Sequence, residues 1–212
     1  MKNVNGKIVR RLYLNQVVMA IFGVIVITSA SFLMEGNVLV ILASLLSIGL
    51  YAAVVYDAMW NAGAKDAAKT LRPEDAQLDK IKTPFYIALF ASAFNIIGAV
   101  AYAVLWLAVY TRSLTEGALV LISDAVHLIL NYANGIYSGV ASMLFLHPLA
   151  GLTGEEIAAI RAIDGAPLIT ELTAPWFYFL TPIPLFITCI FAYYLGASEM
   201  KLSSLFAKFD TE

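Results

Sequence analysis

The chain of 212 residues has room for one domain, and 61% of it is hydrophobic against 13% charged, where soluble domains average about 45 to 50% and about 25%. Too few charged side chains are present to cover a water-facing surface, which excludes a soluble globule, a disordered chain and a disulfide scaffold, so the apolar excess must meet lipid. A net charge of −2 without a basic, aromatic-interleaved stripe excludes nucleic acid as a partner, and Cys189 with only His127 and His147 offers no metal-binding spacing and no cofactor motif.

Apolar runs of about 18 residues or more mark helices able to cross a bilayer. The first covers residues 12–33. Its flank of Lys2, Lys7, Arg10 and Arg11 looks like a signal-peptide n-region, but the run outlasts an h-region of about 7 to 15 residues, so it reads as an uncleaved anchor. After the polar turn Met34-Glu35-Gly36-Asn37, residues 38–60 form a second span that ends in Tyr56 and Trp60, residues suited to the membrane interface. The two spans are expected to pair as an antiparallel hairpin. Residues 61–83 read as a cytoplasmic loop, in which Arg72-Pro73-Glu74-Asp75 opens a short helix. Pro84 begins the third span, 84–110, interrupted only by Asn95 and closed by Trp106 and Tyr110.

Residues 118–147 decide the topology. They are apolar on average, yet Asp124, His127, Asn131, Asn134 and Ser138 recur at spacings that place them on one stripe of a helix. An Asp facing lipid at a helix centre costs about 2.5 to 3.5 kcal/mol, against a gain of about 0.3 to 0.6 per Leu or Ile. The stripe must therefore meet water or protein, and the segment reads as amphipathic or re-entrant, weakened near its end by Gly135 and Gly139. Residues 148–174 form an acidic extracytoplasmic loop, where Thr153 and Glu156 match a capping box for a helix over 154–163. The last span, 175–195, carries Pro182 and Pro184, which should kink or break it.

With four spans, both termini are cytoplasmic and every Lys and Arg except Arg112 and Arg161 falls inside. A fifth crossing by 118–147 exchanges Lys201 and Lys208 for Arg161, a change too small for the positive-inside rule to decide. The fold class expected is all-α: a polytopic transmembrane bundle of four spans plus one amphipathic segment, with five spans as the alternative.

Three constellations could carry chemistry. At the end of the second span, Asp57, Trp60 and Asn61 share a helix face and Asp66 lies about 180° from Asp57, so the two carboxylates cannot serve one site. This cluster of Asp57, Trp60, Gly63 and Asp66 reads as an interfacial anchor, with Gly63 as a helix stop, Asp57 paired to Arg10, Arg11 or Lys201, and Asp66 of little consequence. The stripe of Asp124, His127, Asn131 and Asn134 either lines a polar path or makes interhelical hydrogen bonds with Asn95. The third is Thr181-Pro182-Ile183-Pro184 with Tyr193-Tyr194-Leu195-Gly196, since broken helices mark binding sites in transporters. Two intramembrane Asp would also suit an aspartyl protease, but the Gly-x-Gly-Asp element is missing, and no hydrolase or nucleotide motif is present.

The segment Asp57-Ala58-Met59-Trp60-Asn61-Ala62-Gly63-Ala64-Lys65-Asp66 after a two-helix hairpin, with Pro184 and Tyr194-Leu195-Gly196-Ala197 before a Lys-bearing tail, resembles a group of small polytopic membrane proteins of Firmicutes-type bacteria. That group often has Glu at the position of Asp57 and a basic residue soon after the final Gly, whereas here Lys201 follows several residues later and Glu199 intervenes. The resemblance implies four spans with an amphipathic segment, and it implies no activity. The expected protein is a non-enzymatic, multi-pass component of a bacterial plasma membrane. It would act through lipid, a membrane-protein partner or a second copy of itself, with small-solute or ion transport as the alternative.

Overall fold

Apolar runs free of internal proline give the backbone no competitor to its own i→i−4 bonds, and in lipid those bonds are obligatory. The computed structural model describes residues 6–33, 37–70, 80–111, 117–137, 140, 175–198 and 200. They form α1 (Gly6–Leu33), α2 (Asn37–Thr70), α3 (Lys82–Ala91), α4 (Ala93–Thr111) and α5 (Ala118–Ala133). A 3-10 turn (Gly135–Tyr137), α6 (Trp176–Leu180) and α7 (Ile183–Ala197) follow, so the protein is all-α.

Three stretches are long and apolar enough to cross a membrane: Gly6–Ala30, Val38–Ala68 and Trp176–Ala197. The α3/α4 pair makes a fourth if it is one broken span. α5, with 16 residues, measures about 24 Å and falls short of a hydrocarbon core of about 30 Å.

Three boundaries differ from the sequence reading, and a break in the last span falls where Pro182 and Pro184 predict it. α2 runs through Gly63 to Thr70, into the segment expected as loop. Gly63 does not stop it because the residue takes no left-handed turn; among the described residues only Gly117 has positive φ. The third span is broken at Ser92, whose hydroxyl donates to the Ala88 carbonyl at 2.7 Å while its own N–H bonds the same carbonyl at 2.9 Å. Such back-bonding from a serine bends helices. α5 ends well before residue 147: the Asn134 amide donates to the Leu130 carbonyl at 2.9 Å, and the Tyr137 N–H closes the 3-10 turn onto the Asn134 carbonyl. The last span breaks at Thr181-Pro182, with the Thr181 hydroxyl donating to the Tyr178 carbonyl at 3.0 Å. The helices read over 72–75 and 154–163, Ser138, Gly139, His147 and the Lys-bearing tail lie outside the described residues.

The chain divides into two compact units, Met1–Asn15 with Leu50–Ala93 and Ile183–Glu212, and Gln16–Gly49 with Phe94–Pro182. In the first, α7 packs on α3, with Leu185 and Cys189 of α7 and Ile87, Ala88 and Ala91 of α3 all buried. In the second, Ile27 and Ala30 of α1 pack with Ala43 of α2. There the 3-10 turn seats on α1, where a Cβ at Gly23 would meet the Ile136 backbone and one at Gly135 would meet the Ala20 carbonyl. Ser44 ties α2 to the same turn, donating to the Ile136 carbonyl at 2.8 Å.

Candidate functional site

α5 buries Val120, Ser123, His127 and Leu130, and the row continues to Asn134. At 100° per residue, Asp124 and Asn131 lie about 60° and about 40° round from His127 on the same side, and both are exposed. The stripe read from the sequence therefore divides: His127 and Asn134 point into protein, and Asp124 and Asn131 occupy the rim.

Within this unit His127 and Asn134 are hydrogen-bonded, while the buried Ser123 hydroxyl has no partner among the described residues. Asn95 of α4 donates from Nδ2 to Asn134 Oδ1 at 3.1 Å, both residues being buried. His127 stacks on Tyr102 of α4, ring centroids 5.1 Å apart and 18° from parallel, and meets the edge of Tyr178 of α6. The Tyr178 hydroxyl donates to Asn131 Oδ1 at 2.6 Å, and Asn131 Nδ2 lies 3.2 Å from His127 Nε2. With Oδ1 accepting from tyrosine, Nδ2 is left to donate, which assigns Nε2 as acceptor and puts the imidazole proton on Nδ1. Asp124 lies within electrostatic reach of Tyr102. The arrangement joins three helices through neutral amide, phenol and imidazole groups, a chemistry that orients and packs. Among the described residues no group of three His, Cys, Asp or Glu is placed to hold a metal.

The sequence reading included Asn95, Asp124, His127, Asn131 and Asn134 but missed Tyr102 and Tyr178. Tyr102 follows Asn95 by two turns and so shares its face, a signal available beforehand. Tyr178 belongs to a dense aromatic run just ahead of the Thr181-Pro182 break, and no periodicity singles it out.

In the other unit, the two short motifs read separately pack against each other. A Cβ on Gly63 would strike the Tyr193 carbonyl, and one on Gly196 would strike the Trp60 carbonyl, so α2 and α7 touch backbone to backbone. The Trp60 indole N–H donates to the Met200 carbonyl at 2.9 Å, and the buried Tyr193 hydroxyl donates to Asp66 Oδ2 at 3.0 Å. Asp66 thus has a role the sequence reading denied it, because its partner comes from a helix more than a hundred residues away. Asp57 faces Arg11, Oδ2 to guanidinium 3.6 Å, with the two side chains 65% and 58% exposed. Asn61 Nδ2 donates to the Asp57 carboxylate at 3.0 Å. Lys80 donates to Ser198 Oγ at 3.0 Å and sits 5.5 Å from the Tyr194 ring centroid.

No protein-family model matches the chain, no curated protein matches its sequence, and no solved structure matches its fold.

Proposed function

We infer that this is a non-enzymatic, multi-pass component of a bacterial plasma membrane that acts through lipid or a protein partner. The observation that carries this reading is the polar row of α5, in which His127 stacks on Tyr102 and bonds Asn131, and Asn134 bonds Asn95. Polar groups so engaged hold helices together in a medium that offers no water to compete. Exposed apolar side chains along the long helices, such as Ile21, Ile25, Val104 and Ile187, support a lipid surround. The packing of the Trp60 to Asp66 segment on Tyr193 to Ala197 is compatible with the resemblance to small Firmicutes-type membrane proteins, which rests on those two motifs.

Transport is the second reading, favoured by the exposed rim of Asp124 and Asn131 and by the break at Thr181-Pro182 beside Tyr178. Cysteine accessibility separates the two. Ser123→Cys and Asn134→Cys, each in a Cys189→Ala background in intact cells and in inverted vesicles, should resist a membrane-impermeant thiol reagent from both sides. Labelling of both positions from both sides would overturn the packed reading and install the polar path.

A further inference from the structure

A helix that stops and starts again leaves a carbonyl and an amide facing a gap, and whatever fills the gap decides how firmly the break is held. After the 3-10 turn Gly135–Tyr137, Val140 is helical again. The bond that an uninterrupted helix makes across this point runs from the Val140 N–H to the Ile136 carbonyl, four residues back. In its place stands the hydroxyl of Ser44 on α2, which donates to the Ile136 carbonyl at 2.8 Å and accepts from the Val140 N–H at 3.3 Å. A hydroxyl has one proton to give and lone pairs to receive, so one side chain serves both ends of the opened turn. A side chain inserted into the i→i−4 ladder is a recognised cause of helix bending. Ser44 is fully buried and Ile136 nearly so.

We propose that residues 134–140 form a hinge with two hydrogen-bonded arrangements, and that Ser44 is the pin that holds it bent. The second arrangement closes the Val140 N–H directly onto the Ile136 carbonyl and returns the Ser44 hydroxyl to the Val40 carbonyl of its own helix. Such a return is ordinary in this protein: Ser29, Ser47, Ser92 and Thr188 each donate to the carbonyl four residues back at 2.7 to 2.8 Å. Both arrangements satisfy the same three groups, so neither strands a buried polar atom, and packing is left to choose between them. Packing favours the bent form. A Cβ at Gly23 would meet the Ile136 backbone and one at Gly135 would meet the Ala20 carbonyl, so both glycines let the turn seat on α1. The near side is anchored, because the Asn134 side chain donates to the Leu130 carbonyl and accepts from Asn95. Straightening therefore redirects the chain that follows Val140 and leaves the polar row of α5 in place, which is the behaviour of a two-state element rather than of a loose joint.

The test is nuclear magnetic resonance of the full chain in lipid nanodiscs, read at the Cα shifts of Gly135, Ile136 and Tyr137, which report local backbone conformation. Ser44→Ala leaves the Ile136 carbonyl and the Val140 N–H with no partner but each other, and should move all three shifts toward α-helical values. Ser47→Ala deletes an equally buried hydroxyl about one turn along the same helix and should leave them unmoved. A matching change in Ser47→Ala would reduce Ser44 to a general packing contact and overturn the proposal, as would unchanged shifts in folded Ser44→Ala. If that variant does not fold, Gly135→Ala takes its place, since the added methyl raises helix propensity and blocks the seat on α1; the same movement is expected, and its absence counts against the hinge. The unaltered chain gives a reading that needs no variant. Rearrangements of this kind fall in the microsecond-to-millisecond range, so relaxation dispersion should appear at the Ile136 and Val140 amides and not at the Leu130 amide. Flat profiles at both hinge positions would sink the proposal.

Discussion

Asp57 and Asp66 sit nine positions apart on one helix, and their surroundings reverse the roles that spacing alone assigns them. Asp57 has a cationic neighbour, but both members of the pair are more than half exposed, and ion pairs so placed contribute about 0 to 1 kcal/mol. Asp66 accepts a hydrogen bond from Tyr193, whose ring is fully buried. Taking that acceptor from a buried hydroxyl costs about 1 to 3 kcal/mol. Asp66→Ala is therefore expected to lower thermal stability in detergent more than Asp57→Asn does, and Tyr193→Phe should remove most of the difference. A larger loss for Asp57→Asn would show its charge to be held in a drier setting than its exposure implies. The sequence made Asp57 legible because an acid beside an interfacial Trp is conspicuous. Asp66 was not legible, because its partner on α7 is fixed by tertiary packing that no local pattern encodes.

At the scale of the element, composition and proline placed most helices, while the breaks depended on chemistry that is silent in a hydropathy profile. The interruption at Thr181-Pro182 was legible, since Pro182 cannot donate and Pro184 falls in the first turn of α7, where a missing N–H is harmless. Ser92 was not, because a serine in an apolar helix is usually tolerated, and only its 2.7 Å bond to Ala88 reveals the competition. Gly63 illustrates the opposite error: read as a stop, it is a contact surface that lets α7 approach. An added methyl there meets backbone, which cannot turn aside as a side chain would. Gly63→Ala and Gly196→Ala should each destabilise by about 1 to 3 kcal/mol, as overpacking does. Gly49→Ala, inside α2 with nothing within 4 Å of the new methyl, should stabilise by about 0.5 to 1 kcal/mol through helix propensity. Chemical unfolding of the three variants in one detergent orders them. If Gly63→Ala matched Gly49→Ala, the close seam between α2 and α7 would be absent from the folded protein.

For the whole molecule, the side of the membrane reached by each terminus follows from how many elements cross. α1, α2, the α3/α4 pair and the stretch from α6 through α7 supply four candidates, and α5 decides whether there is a fifth. At about 24 Å it is shorter than the bilayer core, and at its end the backbone tightens into a 3-10 turn whose Gly135 and Ile136 pack against α1. An even number of crossings returns the chain to its starting side. The positive-inside rule predicts that Lys2, Lys7, Arg10 and Arg11 hold that side in the cytoplasm, and the same count would leave only Arg112 and Arg161 outside. A fluorescent reporter fused after Glu212 should therefore light, and a phosphatase active only beyond the membrane should be silent there and active when fused after Ala174. The reverse pattern, phosphatase active after Glu212 and silent after Ala174, would mean that residues beyond α5 complete a fifth crossing. Asp124 and Asn131 would then lie on a segment that traverses the bilayer, with an exposed carboxylate that lipid alone could not accommodate without a cost of about 2.5 to 3.5 kcal/mol.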